Sequence, residues 1–313
     1  MRGVQQPVIV KVLGIGGRFV RYRRLLLVKY FLGLIGRNRH LYDLVVDTSS
    51  NAPTAVDISY IHYPITLSKG YSTIWWMAYD YLVSQLASKV VGNTRLVLTN
   101  SSWTASQFKR VFGTRYRVEV LHPAVDVEYF SKCDSDKENI IVCVSRFTPE
   151  KGLEKLVRPM SKLKNFKFYY VGSTHEYSSE VIKAIEDEVR RCGATNIELL
   201  TNLGRDRLRE VLCRAKYYVH PPYPEHFGIS VVEAMASGCV PIVYKDGGAW
   251  TDIVSNISDI LGYNDVGEVA ELVRKLENNK ELYIRLKEKS VEISKRFNYE
   301  NFKGKLLEII NRI

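Results

Sequence analysis

The chain has 313 residues, 46% of them apolar, and a formal net charge of +11 at pH 7. That length fits one or two domains with real cores. It shows no secretory apolar segment at its start and no apolar run of about 18 residues, which excludes a helical membrane span and leaves a soluble or peripheral protein.

The charge is uneven. Residues 1–50 hold nine Lys or Arg against Asp43 and Asp47, which is +7 of the +11. Within 18–37, Arg21, Arg23, Arg24, Lys29 and Arg37 alternate with Phe19, Leu25, Leu26, Leu27, Phe31, Leu32 and Ile35. Such a segment suits an interfacial helix on an anionic membrane surface. The competing reading is a sheet-covering helix whose arginines reach to water. Nucleic acid is not expected as a partner, because no recognition motif accompanies the charge. The five cysteines (Cys133, Cys143, Cys192, Cys213, Cys239) are widely spaced, without a C-x2-C pair. Neither a zinc site nor a disulfide framework is expected. Buried thiols and a reducing, cytoplasmic compartment fit better.

Taken along the chain, short β-rich runs alternate with helical runs, which predicts parallel α/β layers. Strands are expected near 7–13, 43–47, 56–61, 96–99 and 117–121, with helices near 18–35, 73–91 and 103–112. Gly14–Gly17 does not complete a dinucleotide fingerprint, because the third glycine would fall at Phe19. Residues 123–137 read as a linker. Strands then follow near 139–145, 166–172, 196–200, 216–220 and 240–244, with helices near 151–163, 178–192, 205–214 and 229–237. The tail is helical from about 265, and Phe297-Asn298 breaks it before a last helix at 299–312. This pattern predicts two Rossmann-like units with ligands beyond the C-terminal strand ends.

Candidate site residues lie at those strand ends. His62 closes the run Ile58–Ile61, where it serves either as a hydrogen-bonding structural residue or as a group in the cleft. Asn100-Ser-Ser-Trp-Thr reads as a turn into a helix capped by Ser102 or Thr104, whose start is free for a phosphate or an acceptor. Arg146 and Lys151 flank the turn after the strand at 140–144, and two fixed cations there suit a diphosphate. Gly172 ends the strand Phe168–Val171 and admits close approach of a ligand. Glu225 follows a Pro-rich loop, and Glu233 lies eight residues on, inside an apolar helical run that begins at Gly228. Eight residues of helix rise about 12 Å. The two carboxylates are thus spaced for the two ends of a nucleotide-sugar, with the diphosphate at the helix start. Gly247-Gly248, ahead of Asp252, is a further anion-friendly turn.

The pair Glu225/Glu233 in E-x7-E spacing and Arg146/Lys151-Gly152 in R-x4-K-G spacing resemble the family 4 retaining glycosyltransferases. Tyr60-Ile-His-Tyr-Pro64, Asn100-Ser-Ser-Trp103, Pro123-Ala-Val-Asp126, Phe227–Gly238 and Gly247-Gly-x-x-x-Asp252 extend the likeness over nearly the whole chain. It is nearest to the α1,2-mannosyltransferase branch that extends dolichol-linked oligosaccharides. The resemblance implies a GT-B fold, α/β with two Rossmann-like domains facing a cleft. The acceptor-side domain would span 1–130, joined by a helix at 299–313, and the donor domain 138–298. It further implies a metal-independent hexosyltransferase without cofactor. The donor would be a nucleotide-sugar, GDP-mannose ahead of a UDP-sugar, and the acceptor a glycan or a polyprenyl- or dolichyl-linked glycan at the cytosolic membrane face. His62, Glu225, Arg146 and Lys151 would carry catalysis. Arg146, Lys151, Gly172, Glu225, Phe227, Gly228, Ile229 and Glu233 would bind the donor, with Glu225 on the sugar, Glu233 on the ribose and amides at Phe227–Ile229 on oxygens. Two departures accompany the match. Asp252 stands one residue later than the family's Glu. The residues before the linker allow about four βα units, fewer than the family's first domain, so the acceptor side is expected to be incomplete. That leaves a second reading, a non-catalytic donor-binding subunit beside a partner.

Overall fold

The computed structural model describes residues 41–313 apart from 50, 55, 65–93, 176 and 177. The expected strand at 7–13, the helices at 18–35 and 73–91, the Gly14–Gly17 turn and the basic segment 18–37 lie outside the described residues.

Two sheets organise the described chain. The first is built from β1 (Val46–Asp47), β2 (Ile58–Ile61), β3 (Leu96–Thr99) and β4 (Val118–Val120), paired in chain order and all parallel. The second comprises β5 (Glu138–Val144), β6 (Lys167–Gly172), β7 (Ile197–Thr201), β8 (Ala215–Val219), β9 (Val240–Tyr244) and β10 (Gly262–Tyr263). Its order is β10-β9-β8-β5-β6-β7, again all parallel. Parallel strands are covered on both faces and so read as continuous apolar runs. Ile140, Ile141, Val142 and Cys143 of β5 are all buried, as are Tyr217, Tyr218 and Val219 of β8. The chain leaves β5 toward β6 and β7, then returns to place β8 on the other side of β5. A crevice opens beyond the strand ends at that switch point.

Helices are α1 (Ser102–Phe112), α2 (Val127–Phe130), α3 (Val157–Ser161), α4 (Ser178–Cys192), α5 (Arg205–Arg214), α6 (Ile229–Ala236), α7 (Glu268–Glu277), α8 (Lys280–Ser294) and α9 (Tyr299–Asn311). In α4, Ser178, Val181 and Ile185 are buried at spacings of three and four, one face of a helix. By contrast, α6 buries Val231, Val232, Ala234, Met235 and Ala236, so it is an interior helix. The chain then crosses back to the first sheet. Ile309 of α9 packs with Ile58, Leu96, Leu98 and Leu121, and Arg312 pairs with Glu119 at 2.9 Å.

Several expectations need correction. The helix at 151–163 is broken into 3-10 turns at Pro149–Lys151 and Leu153–Leu156, followed by short α3. Gly152, at φ +59, reverses the chain between the turns, and Pro159 denies α3 a backbone donor. The linker at 123–137 is not structureless, since α2 forms within it, capped by Asp126, which accepts from the Tyr129 amide. The N-cap of α1 is Ser101, whose side chain accepts from the Thr104 amide; neither Ser102 nor Thr104 is the cap. Cys133 and Cys213 form a disulfide, with Cα atoms 5.3 Å apart. Only Cys143, Cys192 and Cys239 remain thiols. The pair lies 80 residues apart in sequence, a separation at which no local spacing pattern reveals it. The expectation of no disulfide is thereby corrected.

Candidate active site

A cleft of about 600 Å³ opens at the C-terminal ends of both sheets. Nine of the residues singled out in the sequence line it: His62, Arg146, Lys151, Gly172, Glu225, Phe227, Gly228, Ile229 and Glu233. His62 follows β2 of the first sheet. Arg146 and Lys151 follow β5, Gly172 ends β6, and Glu225 follows β8.

The electrostatic centre is Glu225. Its Oε2 lies 2.9 Å from Lys151 Nζ and 3.3 Å from Nε2 of His220, and its Oε1 accepts the His226 amide at 3.1 Å. Burial opposes ionisation, but His220 and Lys151 outweigh it and hold the carboxyl well below the ordinary carboxylate range. Lys151 is itself buried, 7% exposed, and its ammonium also sits 4.3 Å from the Tyr223 ring centroid. Arg146, in contrast, is exposed. A diphosphate entering here meets one cation already shared with Glu225 and one extending from the rim.

Glu233 behaves oppositely. Burial raises its carboxyl to about 7; Arg205 lowers it and Asp126 raises it further. Between the two carboxylates, Gly228 takes φ +109 and starts α6 with no side-chain cap. The first amides of α6 thus have no capping side chain at the cleft, as an anion site requires. Phe227 presents only its backbone there, because its side chain is 3% exposed and packs beside His122 and Phe297.

The two halves meet across the cleft through side chains. Asp252 accepts from the Ser102 amide at 2.7 Å and the Ser102 hydroxyl at 2.8 Å, and lies 2.9 Å from His122 Nε2. Trp103 Nε1 donates to Asp246 at 2.7 Å, and Ser101 Oγ donates to the His226 carbonyl at 2.5 Å. Tyr63 stacks on His226 with centroids 4.0 Å apart and planes at 5°. Burial lowers His226 to about 4, so the stacked ring is neutral.

Three sequence expectations change in this light. The start of α1 is not free for phosphate, since Asp252 already occupies it. At Gly172 the space a Cβ would fill is taken by the Ser145 carbonyl, 1.9 Å away. Close backbone packing of β5 and β6, rather than approach of a ligand, requires the glycine. Nor are Gly247 and Gly248 an open anion turn. Their amides go to Asp246 Oδ1 and the Glu225 carbonyl, and a Cβ on either would strike the 225–226 backbone. His220, His122 and Asp252's cross-cleft role were missed. His220 had one signal, its place at the end of an apolar strand beside Glu225.

Comparison with known proteins follows this geometry. Residues 128–292, more than half of the chain, match the family model described as glycosyl transferases group 1. Over 267 residues the chain is 26% identical to the GDP-Man:Man(3)GlcNAc(2)-PP-Dol alpha-1,2-mannosyltransferase of Dictyostelium discoideum, covering 78% of this chain and 52% of that protein. The Homo sapiens protein of the same description is 26% identical over 260 residues, covering 76% and 52%. The chain spans about half the length of the curated relatives it matches. Among solved structures, Anabaena HepE in complex with UDP and glucose superposes with a TM-score of 0.73 at 17% identity, over 95% of this chain and 84% of that one. WaaG, a glycosyltransferase involved in lipopolysaccharide biosynthesis, gives 0.70 at 15% identity, over 95% and 85%. These likenesses establish the two-sheet GT-B fold expected from the sequence.

Proposed function

Since the chain belongs to the group 1 glycosyl transferases, we propose that it transfers a hexose, mannose first among them, from a nucleotide-diphosphate sugar to a lipid-linked glycan with retention of configuration. The observation that carries this reading is the cleft itself, which gathers Lys151, Arg146, Glu225 and Glu233 from one half and His62 from the other. Arg146, Lys151 and the first amides of α6 would take the diphosphate. Glu225 would bind the sugar hydroxyls, Glu233 the ribose, and His62 would face the sugar from the acceptor side. The names of the curated relatives favour GDP-mannose as donor and a dolichol-linked glycan as acceptor. The reaction would then run on the cytosolic membrane face.

The reaction would need no metal if Lys151 and Arg146 neutralise the leaving diphosphate. Residues 1–130 with 299–313 would form the acceptor unit, and 138–298 the donor unit.

The deciding experiment incubates the purified chain with radiolabelled GDP-mannose and a lipid-linked glycan, with and without EDTA. Label transferred in an α-linkage, unaffected by EDTA, is the expected result. Donor binding without transfer to any lipid-linked glycan would instead favour a non-catalytic donor-binding subunit. Absence of both binding and transfer overturns the proposal.

A further inference from the structure

Among the described groups not yet assigned a role, buried His220 lies directly against Glu225, which lines the cleft. It follows β8 and is 3% exposed. Its backbone is held on both sides, the amide donating to the Ile242 carbonyl at 2.9 Å and the carbonyl accepting the Tyr263 hydroxyl at 2.6 Å. The ring therefore has little freedom. Its Nδ1 lies 3.1 Å from the Pro221 carbonyl oxygen, and its Nε2 lies 3.3 Å from Glu225 Oε2. A carbonyl and a carboxylate only accept. Each ring nitrogen thus faces an oxygen acceptor.

The two oxygens of Glu225 are thereby distinguished. Oε2 is committed to Lys151 and His220. Among the described residues Oε1 accepts only the His226 amide, and a carboxylate oxygen has room for a second donor. Oε1 is the oxygen left for a ligand in the cleft.

We propose that His220 is a positioning residue that anchors Glu225 Oε2, so that Oε1 stays available to a hydroxyl of the donor sugar. The proposal deepens the reading of Glu225 as a sugar ligand and rests on it. Its second effect is to help Lys151 keep the carboxyl ionised. The titratable groups facing Glu225 are His220 and Tyr218 from β8, Lys151 from the turn after β5, and Tyr223 and His226 from its own loop. Arg146 acts on both of those loop residues. Of these, only Lys151 and His220 contact the carboxylate side chain through side-chain nitrogen.

The test compares the full chain with His220→Leu and His220→Gln. Carbon-13 NMR of labelled glutamate carboxyls follows Glu225, whose signal is identified by its loss in Glu225→Gln. The midpoint should rise by at least one pH unit in His220→Leu. It should rise less in His220→Gln, which keeps a hydrogen-bond donor. Calorimetry with GDP-mannose and with GDP supplies the second readout. His220→Leu should weaken GDP-mannose tenfold or more while GDP, which lacks the sugar, changes less than twofold. His220→Gln should restore most of that difference. An unmoved Glu225 midpoint in either folded variant, or equal loss for both ligands, overturns the proposal. Should His220→Leu not fold, the His220→Gln midpoint decides alone. If the parent chain binds no GDP-mannose, the donor reading falls while the titration still judges His220.

Discussion

Asp252 accepts the backbone amide of Ser102 from the opposite side of the cleft, at 2.7 Å. Burial opposes its ionisation, but bonds from His122, Thr251 and Ser102 outweigh that and hold the carboxyl below its ordinary range. The carboxylate sits on the positive end of α1, where a negative charge is favoured. One side chain thus ties the half built on the second sheet to the half built on the first.

Replacing Asp252 by Ala should loosen that tie. Loss of a hydrogen bond to a charged group costs about 1.5–3 kcal/mol. Thermal unfolding of Asp252→Ala is expected several degrees below the parent, with faster proteolysis between the halves. Asp252→Asn should recover part of the loss, since its amide oxygen still accepts from Ser102. Unchanged unfolding in both variants would remove Asp252 from the interface.

Lys151 and Arg146 differ in what their loss exposes. Arg146→Ala should weaken GDP binding by about tenfold, within the range of one charge-assisted bond, with the fold intact. Lys151→Ala also leaves buried Glu225 with one fewer cation, so it should lower the unfolding temperature as well as GDP affinity. Calorimetry against GDP and guanosine checks this, because guanosine carries no phosphate and should bind both variants as it binds the parent.

Glu233 carries a pH signature. Its carboxyl lies at about 7, against an ordinary value of 4.5. The folded state therefore holds that proton more tightly than the unfolded one. This contribution to stability is present below pH 4.5 and is lost as pH rises toward 7. Glu233→Gln should unfold at a higher temperature than the parent at pH 8, with the gap closing by pH 5. If the ionised carboxylate accepts ribose hydroxyls, donor binding near pH 7 should also release a proton. Calorimetry in buffers of different ionisation enthalpy reads that release, and none is expected in the Gln variant.

His226 should govern part of the acid limb. Its neutral ring is favoured in the fold, with the value lowered by burial from 6.5 to about 4. Stability from this group is complete above pH 6.5 and is lost as pH falls toward 4. His226→Phe preserves an aromatic face for Tyr63 without a titrating ring. Its unfolding temperature should fall less than the parent's over that interval.

The basic segment 18–37 predicts docking to lipid. At about 1 kcal/mol per basic residue near an anionic surface, co-sedimentation with phosphatidylserine vesicles should be strong at low salt and fade at high salt. Neutral vesicles should capture little. Binding to neither vesicle would point to an acceptor that is not membrane-bound.

What the sequence disclosed was set by how local each signal is. β5, β8 and β9 are apolar runs between helical segments, and their residues are read off directly. The Glu225/Glu233 and Arg146/Lys151 spacings are equally local, so those side chains were placed in one cleft in advance. Contacts made at long range had no such signal. Asp252 lies 150 residues from Ser102, and Cys133 lies 80 from Cys213. Glycine is ambiguous for a different reason. Gly172 and Gly247 were read as room for a ligand, whereas both make room for another piece of backbone. One missing side chain serves either purpose, and only the neighbouring atoms decide.

The return of α9 to the first sheet has a consequence for biosynthesis. Ile309 completes the apolar cluster formed by Ile58, Leu96, Leu98 and Leu121, yet it is translated after all of the second sheet. At ribosomal rates of about 5–20 residues per second, the first sheet waits on the order of ten to forty seconds for its last layer. During that interval its apolar face is exposed to other nascent chains. The second sheet, whose strands and helices are contiguous from β5 to α8, closes without such a delay. A chaperone that shields the first sheet until α9 emerges should therefore raise the yield of folded protein, and nonsense mutations just before Tyr299 should leave a folded second sheet attached to a sticky first one.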